Sequence, residues 1–200
     1  DVLNSFLTNK LLVNKDLELK YINHLFLTKF WAEFNLEKII KHNQIKYLNT
    51  FPKKVTNEVI VAIHYRAFLN TDKEISFQEF QNQRFTSINF YINAVEYCLS
   101  KFENISLNLF CTKEDENTNY LKNKFKVNII NTPDLKFTYM NFICCDVLIA
   151  AKSSLSWSAH LYGINKVVIA QPFWHPWSKT TILLDESNNV IHNRFTFKDI

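Results

Sequence analysis

One short stretch constrains the fold of this chain more than any other: a continuous apolar run at 147–151 that leads through serines into a helical pattern. The run is too short for a helix and is typical of a strand buried on both faces of a parallel sheet. Ser153 or Ser154 stands at the N-cap position of the helix, and Gly163, the only glycine of the chain, stands at its C′ position. Because a second apolar run follows at 166–170, the stretch predicts a strand, a turn, a helix and another strand.

The rest of the chain repeats this alternation. Apolar runs and helical spacing predict three more strands, at 59–64, 105–111 and 127–130, and three more helices, at 86–101, 114–125 and 137–144. Strands that alternate with helices predict an α/β fold with a doubly wound, Rossmann-like parallel sheet. Residues 1 to about 50 have helical spacing, and FPKK at 51–54 breaks it as a connector. Residues 1–54 are therefore expected to be a helical segment apart from the Rossmann-like domain at 55–200. A turn at 187–189 and a short final strand are expected near the C-terminus.

The composition limits the class of protein. With 47% hydrophobic residues among 200, the chain can bury a large core, and no apolar stretch has the length that a membrane span needs. The net charge of +4 fits an anionic ligand, and the aromatic residues do not form the basic stacking surface of a nucleic-acid-binding protein. The four cysteines lack disulfide or metal spacing, so we expect reduced core thiols in a cytoplasmic protein.

Two groups of polar residues follow predicted strands. His64 and Arg66 end the first strand, and Ser153 and Ser154 form the turn after a later one. In a doubly wound sheet such strand ends share one rim, where these folds bind their ligands. A diphosphate suits such a rim for two reasons. An arginine can make two parallel hydrogen bonds to it, and the N–H groups at a helix N-terminus, with serine hydroxyls beside them, can donate to its oxygen atoms. Each group also has a purely structural interpretation: serines that cap a helix, an arginine on the surface and a histidine held by hydrogen bonds.

The sequence favours a site without metal or cofactor. No His, Cys or carboxylate cluster has metal-ligand spacing, DxD is absent, and one glycine excludes a Gly-rich phosphate loop. Arg66 and helix N-termini would then neutralise phosphate charge, and His64 is a candidate general base. Glu114 and Asp115 follow the strand at 105–111. They are expected either to contact the ribose or base of a nucleotide, or to be solvated acids that open a helix.

Several segments of the chain resemble the α1,2-, α1,6- and protein O-fucosyltransferases. The tripeptide HYR at 64–66 is similar to the HxR core of their first motif, and the helix at 89–97 is similar to the one that follows it in bacterial α1,2-fucosyltransferase-like proteins. SSLSW at 153–157, followed by VVIA and a tryptophan, is close to the family's SSFSWW…VIAP…W signature. The order and spacing of these segments match over residues 55–178.

The resemblance implies the C-terminal, donor-binding half of a GT-B, metal-independent, inverting glycosyltransferase of polysaccharide biosynthesis. It implies transfer of fucose from GDP-fucose to a glycan or glycolipid acceptor in the cytoplasm, with peripheral association at the inner face of the membrane left open. Arg66 would bind the donor's diphosphate, with Ser153, Ser154 and Ser156 beside the phosphates or the sugar. Residues 1–54 would be a remnant of the N-terminal acceptor half or a link to it.

The chain departs from the family at several positions. The family's second arginine and the acid after it fall on Ala67 and Leu69, and the acid that opens the helix before the serine turn falls on Thr138. The acidic pair after the next strand is replaced by TKE at 112–114. These substitutions favour an alternative, a non-catalytic Rossmann-like domain that binds a nucleotide or sugar. The retained Arg66 and the serine-tryptophan stretch favour the enzyme.

Overall fold

A computed structural model shows the arrangement of the predicted strands and helices. The described residues are 36–47, 57–67, 84–163, 167–172, 175, 177–178, 181–185, 187 and 189–192. They all belong to one compact unit that begins at Leu36. Of the helical segment predicted at 1–54, only 36–47 is described, and it is helical; the rest of that segment and its boundary lie outside the described residues.

The described elements follow the predicted alternation. The strands are β1 (Val59–His64), β2 (Ile105–Cys111), β3 (Asn128–Asn131), β4 (Val147–Ile149), β5 (Val167–Ala170), β6 (Ile182–Leu184) and β7 (Val190–His192). The helices are α1 (Leu36–Tyr47), α2 (Ile88–Leu99), α3 (Glu116–Phe125), α4 (Leu135–Cys144) and α5 (Ser154–Tyr162). From β1 to β5, the ends of each element differ from the prediction by at most two residues.

The seven strands form one sheet in the order β3-β2-β1-β4-β5-β6-β7. Neighbouring strands are parallel except β6 and β7, which are antiparallel. The prediction of an α/β fold with a mostly parallel sheet is confirmed, and the order is compatible with a Rossmann-like fold. The antiparallel edge and β6 were not predicted, because three-residue strands are too short to carry a periodic signal.

The helices cover both faces of the sheet. Because successive residues of a strand point to opposite faces, Ala62 and Ile63 lie in different cores. Ile63 shares its core with Tyr91 of α2, whereas Ala62 shares the other core with Phe142 of α4 and with residues of α5. The helices that follow β1 and β4 therefore lie on opposite faces, although these two strands are neighbours. Such a reversal opens a crevice at the carboxyl ends of the two strands.

Helix α1 belongs to the same unit as the sheet. The side-chain amide of Asn43 donates a hydrogen bond of 2.8 Å to the backbone oxygen of Leu161, and both residues are buried. A buried amide needs such a partner, because leaving it without one costs about 1–3 kcal/mol. The contact attaches α1 to α5.

The two ends of α5 differ in how well their residues were predicted. Ser153 is the N-cap, as expected, and its side chain accepts a hydrogen bond from the backbone of Leu155 at 3.2 Å. The expectation that Gly163 is a C′ glycine is wrong: it is the C-cap, with φ −73° and ψ 156°, an extended conformation that any residue adopts. The left-handed C-cap is Lys126, with φ 58°, after α3.

The expected position of the cysteine thiols in the core is confirmed. All four cysteines are free, and three are buried in the two cores. Burial raises the pKa of Cys98 to about 12, which makes its thiol unreactive at neutral pH. No helix in the described part of the chain is long and apolar enough to cross a membrane.

Candidate functional site

A cavity of about 220 Å³ opens at the carboxyl edge of the sheet. The residues that line it come from five elements: His64, Tyr65 and Arg66 at the end of β1; Phe110, Cys111 and Thr112 at the end of β2; Thr132 and Pro133 after β3; Leu135 and Thr138 from α4; Ser153 and Leu155 at the start of α5. His64 and Ser153 follow β1 and β4, the two strands between which the chain reverses direction across the sheet. The cavity therefore lies where doubly wound folds bind ligands.

The end of β1 is held from two sides. The backbone N–H of Tyr65 donates to the oxygen of Phe110 at 2.9 Å, which extends the pairing with β2 by one residue. The hydroxyl of Tyr91 donates to the backbone oxygen of His64 at 2.9 Å, so α2 also contacts this strand end. These bonds hold the backbone of His64 and Tyr65, directly before Arg66.

Tyr65 connects the strand end to α3. Its hydroxyl donates to a carboxylate oxygen of Asp115 at 2.6 Å and accepts from the side-chain amide of Asn117 at 3.2 Å. Asp115 is the N-cap of α3 and forms a capping box with Thr118. Glu114, predicted to contact the ribose or base, is exposed and is not among the residues that line the cavity. Asp115 thus has a structural task, and Glu114 has the surroundings of a solvated acid.

His64 is held by groups on the other face of the sheet. Its Nδ1 makes a hydrogen bond with the Oγ of Ser156, and its ring packs on Phe142 with centroids 5.0 Å apart. Burial, followed by the positive charge of Arg66 as the smaller cause, lowers the pKa of His64 to about 3. His64 is therefore neutral at physiological pH and a weak base.

Ser153 lies in the cavity, whereas Ser154 does not. Ser153 is buried, lines the cavity and caps α5. The turn before it is tied to the start of α2, because the backbone N–H of Lys152 donates to the hydroxyl of Thr86 at 3.1 Å. Ser154 is exposed, and its Oγ lies 3.0 Å from Nε2 of His175, whose ring stacks on Trp157 with centroids 4.4 Å apart.

The predicted site residues are thus divided into three groups. The structure brings His64, Arg66 and Ser153 together around one cavity. Ser156 is fully buried and contacts the cavity only through His64. Ser154 and Glu114 lie outside it.

Sequence reasoning did not identify several residues that form the site. Tyr65 lies inside the HYR tripeptide, but its bond to Asp115 joins positions 50 apart. Thr132 lines the cavity after β3 and Leu135 lines it from the first turn of α4, and no sequence motif pointed to either residue. Phe142 has no sequence signal beyond its place in a helical pattern, since any apolar residue there predicts a core contact.

The cavity suits an anion. Arg66 supplies a permanent positive charge, and an α-helix leaves N–H groups of its first turn without acceptors inside the helix. None of the residues described as lining the cavity is a carboxylate. Within the described part of the chain, no three His, Cys, Asp or Glu side chains form a group that could hold a metal ion.

We expect His64 to lower the stability of the protein in mild acid. Its pKa is about 3 in the folded protein and 6.5 in an unperturbed histidine, so the unfolded state binds the proton first. The contribution of the neutral His64 to the unfolding free energy is fully present above a pH of about 6.5, and it is lost progressively as the pH falls toward about 3. Between roughly pH 7 and pH 5 this single group should cost about 2 kcal/mol of unfolding free energy.

Urea unfolding at the two pH values measures this cost. In His64→Gln, which does not titrate, the loss between the two pH values should be smaller by about 2 kcal/mol. The buried His175, whose pKa is lowered to about 4 by burial, contributes to both proteins and cancels from the comparison. The same pH dependence in both proteins would contradict a neutral His64 with a lowered pKa.

The site combines an arginine, a neutral histidine and a helix N-terminus around one cavity. Its ligand has to be inferred from this chemistry and from the sequence. Comparison of the chain with protein-family models, with curated proteins and with solved structures gave no match.

Proposed function

We propose that this chain is the donor-binding unit of a GT-B, metal-independent, inverting glycosyltransferase that transfers fucose from GDP-fucose to a glycan or glycolipid hydroxyl. The observation that carries the proposal is the convergence of Arg66, His64 and Ser153 on one cavity at the carboxyl edge of the sheet. Arg66 and Ser153 are the residues that the sequence predicted to bind a diphosphate. The choice of fucose as the sugar and of guanine as the nucleobase rests on the resemblance of HYR and SSLSW to the fucosyltransferase motifs.

The chemistry of the proposed reaction fits the charges of the cavity. Sugar transfer passes through an oxocarbenium-like transition state, in which negative charge grows on the leaving diphosphate. Arg66 and the N–H groups at the start of α5 would stabilise this charge as it develops, without a metal ion. A general base works best with a pKa near the working pH. Because the pKa of His64 is about 3, His64 suits donor binding better than proton abstraction.

A second candidate function is a non-catalytic domain that binds a nucleotide or sugar. Thr138 favours it: this residue lines the cavity at the position where the fucosyltransferases have an acid. Ala67, at the position of their second arginine, favours it as well. On this interpretation Arg66 and Ser153 bind the same diphosphate, and no bond to the sugar is broken.

A thermal-shift screen with GDP-, UDP-, TDP- and CMP-sugars tests the proposal. We expect GDP-fucose at about 100 times its dissociation constant to add about 2.7 kcal/mol of stability. Guanosine, which lacks phosphates, is the control and should add much less. No shift with any nucleotide sugar would contradict both candidate functions.

Donor turnover then separates the enzyme from the binder. We expect release of GDP from GDP-fucose, and this activity should persist in excess EDTA. Binding without turnover would favour the non-catalytic domain. Activity that EDTA abolishes and Mn²⁺ restores would contradict a mechanism based on Arg66 and the helix N-terminus.

A further inference from the structure

A partly buried hydrogen bond connects the cavity to the interior of α5. His64 lines the cavity at the end of β1, and Ser156 lies fully buried in the first turn of α5. The two side chains, 92 positions apart, meet through Nδ1 of His64 and Oγ of Ser156. Ser156 does not line the cavity, so its effect on a ligand has to pass through the histidine ring.

The position of the proton on His64 follows from the hydrogen bond. A neutral imidazole has one N–H group and one nitrogen that accepts. The serine hydroxyl has one proton to donate, and a buried donor without an acceptor is costly. For the Oγ of Ser156, the structure shows one hydrogen-bond partner among the described residues, and it is Nδ1 of His64. The buried hydroxyl is satisfied as a donor when Nδ1 accepts its proton, and the ring proton then lies on Nε2.

We infer that Ser156 is a positioning residue that holds His64 as the neutral Nε2–H tautomer, so that His64 donates a hydrogen bond to an oxygen of the ligand in the cavity. Only the identity of that ligand, a nucleoside diphosphate, rests on the proposed function. The role of Ser156 rests on the hydrogen bond alone.

This tautomer fits the other groups around the cavity. Arg66 and the helix N-terminus are donors, so they favour a ligand whose oxygen atoms accept hydrogen bonds. In the other tautomer, the lone pair of Nε2 would face these oxygen atoms, and the two partial negative charges would repel each other. In the Nε2–H tautomer, the N–H group donates a hydrogen bond to such an oxygen atom. The nearby charge of Arg66 opposes a second cation, and the low pKa of His64 agrees with this. His64 thus adds a donor to the site without adding a charge.

Nitrogen-15 NMR of the histidine rings tests the tautomer without any ligand. In the parent protein we expect the correlation pattern of an Nε2–H tautomer for His64, with His64→Gln identifying its signals by their absence. Ser156→Ala removes the donor, so both tautomers should be populated. Ser158→Ala is the matched control, because the hydroxyl of Ser158 donates to the backbone of Leu155 and does not contact His64. A parent protein with the proton on Nδ1 would overturn the inference, even if Ser156→Ala fails to fold.

Titration with GDP tests the donor role. His64→Ala should weaken binding roughly 10- to 100-fold, as expected for a hydrogen bond to a charged group. Glutamine places an amide N–H near the position of Nε2 and has no basic nitrogen, so His64→Gln should recover most of the affinity. Equal losses in both variants would overturn the donor role. If the parent does not bind GDP, the proposed function and this ligand fail together, while the NMR spectrum still decides the role of Ser156.

Discussion

Replacing Ser153 with aspartate should nearly abolish nucleotide binding and leave the protein as stable as before. Aspartate caps a helix about as well as serine and suits the helix dipole, so the melting temperature should not fall. Ser153 lines the cavity, however, and a carboxylate there would face the phosphates of the ligand. Like charges across an interface cost several kcal/mol, which corresponds to a loss in affinity of roughly 1,000-fold.

The same substitution at Ser154 is the matched control. Ser154 is the next residue along the chain, but it is exposed and contacts His175 outside the cavity. Its charge would be screened by solvent, so Ser154→Asp should change the GDP affinity by less than about tenfold. Calorimetric titration with GDP and thermal melting of both variants measure these effects. Undiminished affinity in Ser153→Asp would show that this serine caps α5 and does not contact a phosphate.

Arg66→Ala should have the second large effect, a loss of GDP affinity of about 100-fold or more. Hydrogen bonds to charged groups contribute about 1.5–3 kcal/mol each, and an arginine can make two to one diphosphate. Arg66→Lys keeps the charge but loses the planar fork, so it should recover only part of the affinity. In the proposed reaction both variants should also slow the release of GDP from GDP-fucose, because they remove charge stabilisation of the leaving group.

Arg84→Lys is the control for these substitutions, since Arg84 is an arginine that does not line the cavity.

Arg66→Ala should also have an effect that is measured without any ligand. The charge of Arg66 contributes to the low pKa of His64, so its removal should raise that pKa toward the ordinary value. Titration of the His64 ring by NMR measures this rise. Unchanged nucleotide affinity in both Arg66 variants would exclude Arg66 from the site.

The sequence by itself determined the α/β fold and the place of the site. The runs at 59–63 and 167–170 are apolar throughout, and such runs are stable as short strands only when both faces of a sheet are covered. The serines after 147–151 identified the start of α5, because few residues satisfy the N–H groups of a helix end. Parallel strands end at one rim, so these local patterns also predicted that His64, Arg66 and the serine turn lie together.

The tertiary structure decided which of these residues face the cavity and in which chemical state. Ser153 and Ser154 are equivalent as candidate caps, but successive residues at the start of a helix point in different directions, and only the packing of α5 on the sheet shows which one lines the cavity. The hydrogen bond between His64 and Ser156 joins strand and helix across 92 positions, and no local pattern records it. The pKa of His64 depends on burial and on the distance to Arg66. Both are properties of the packed molecule, because solvent exposure and Coulomb energy depend on distances in space and not on separation along the chain.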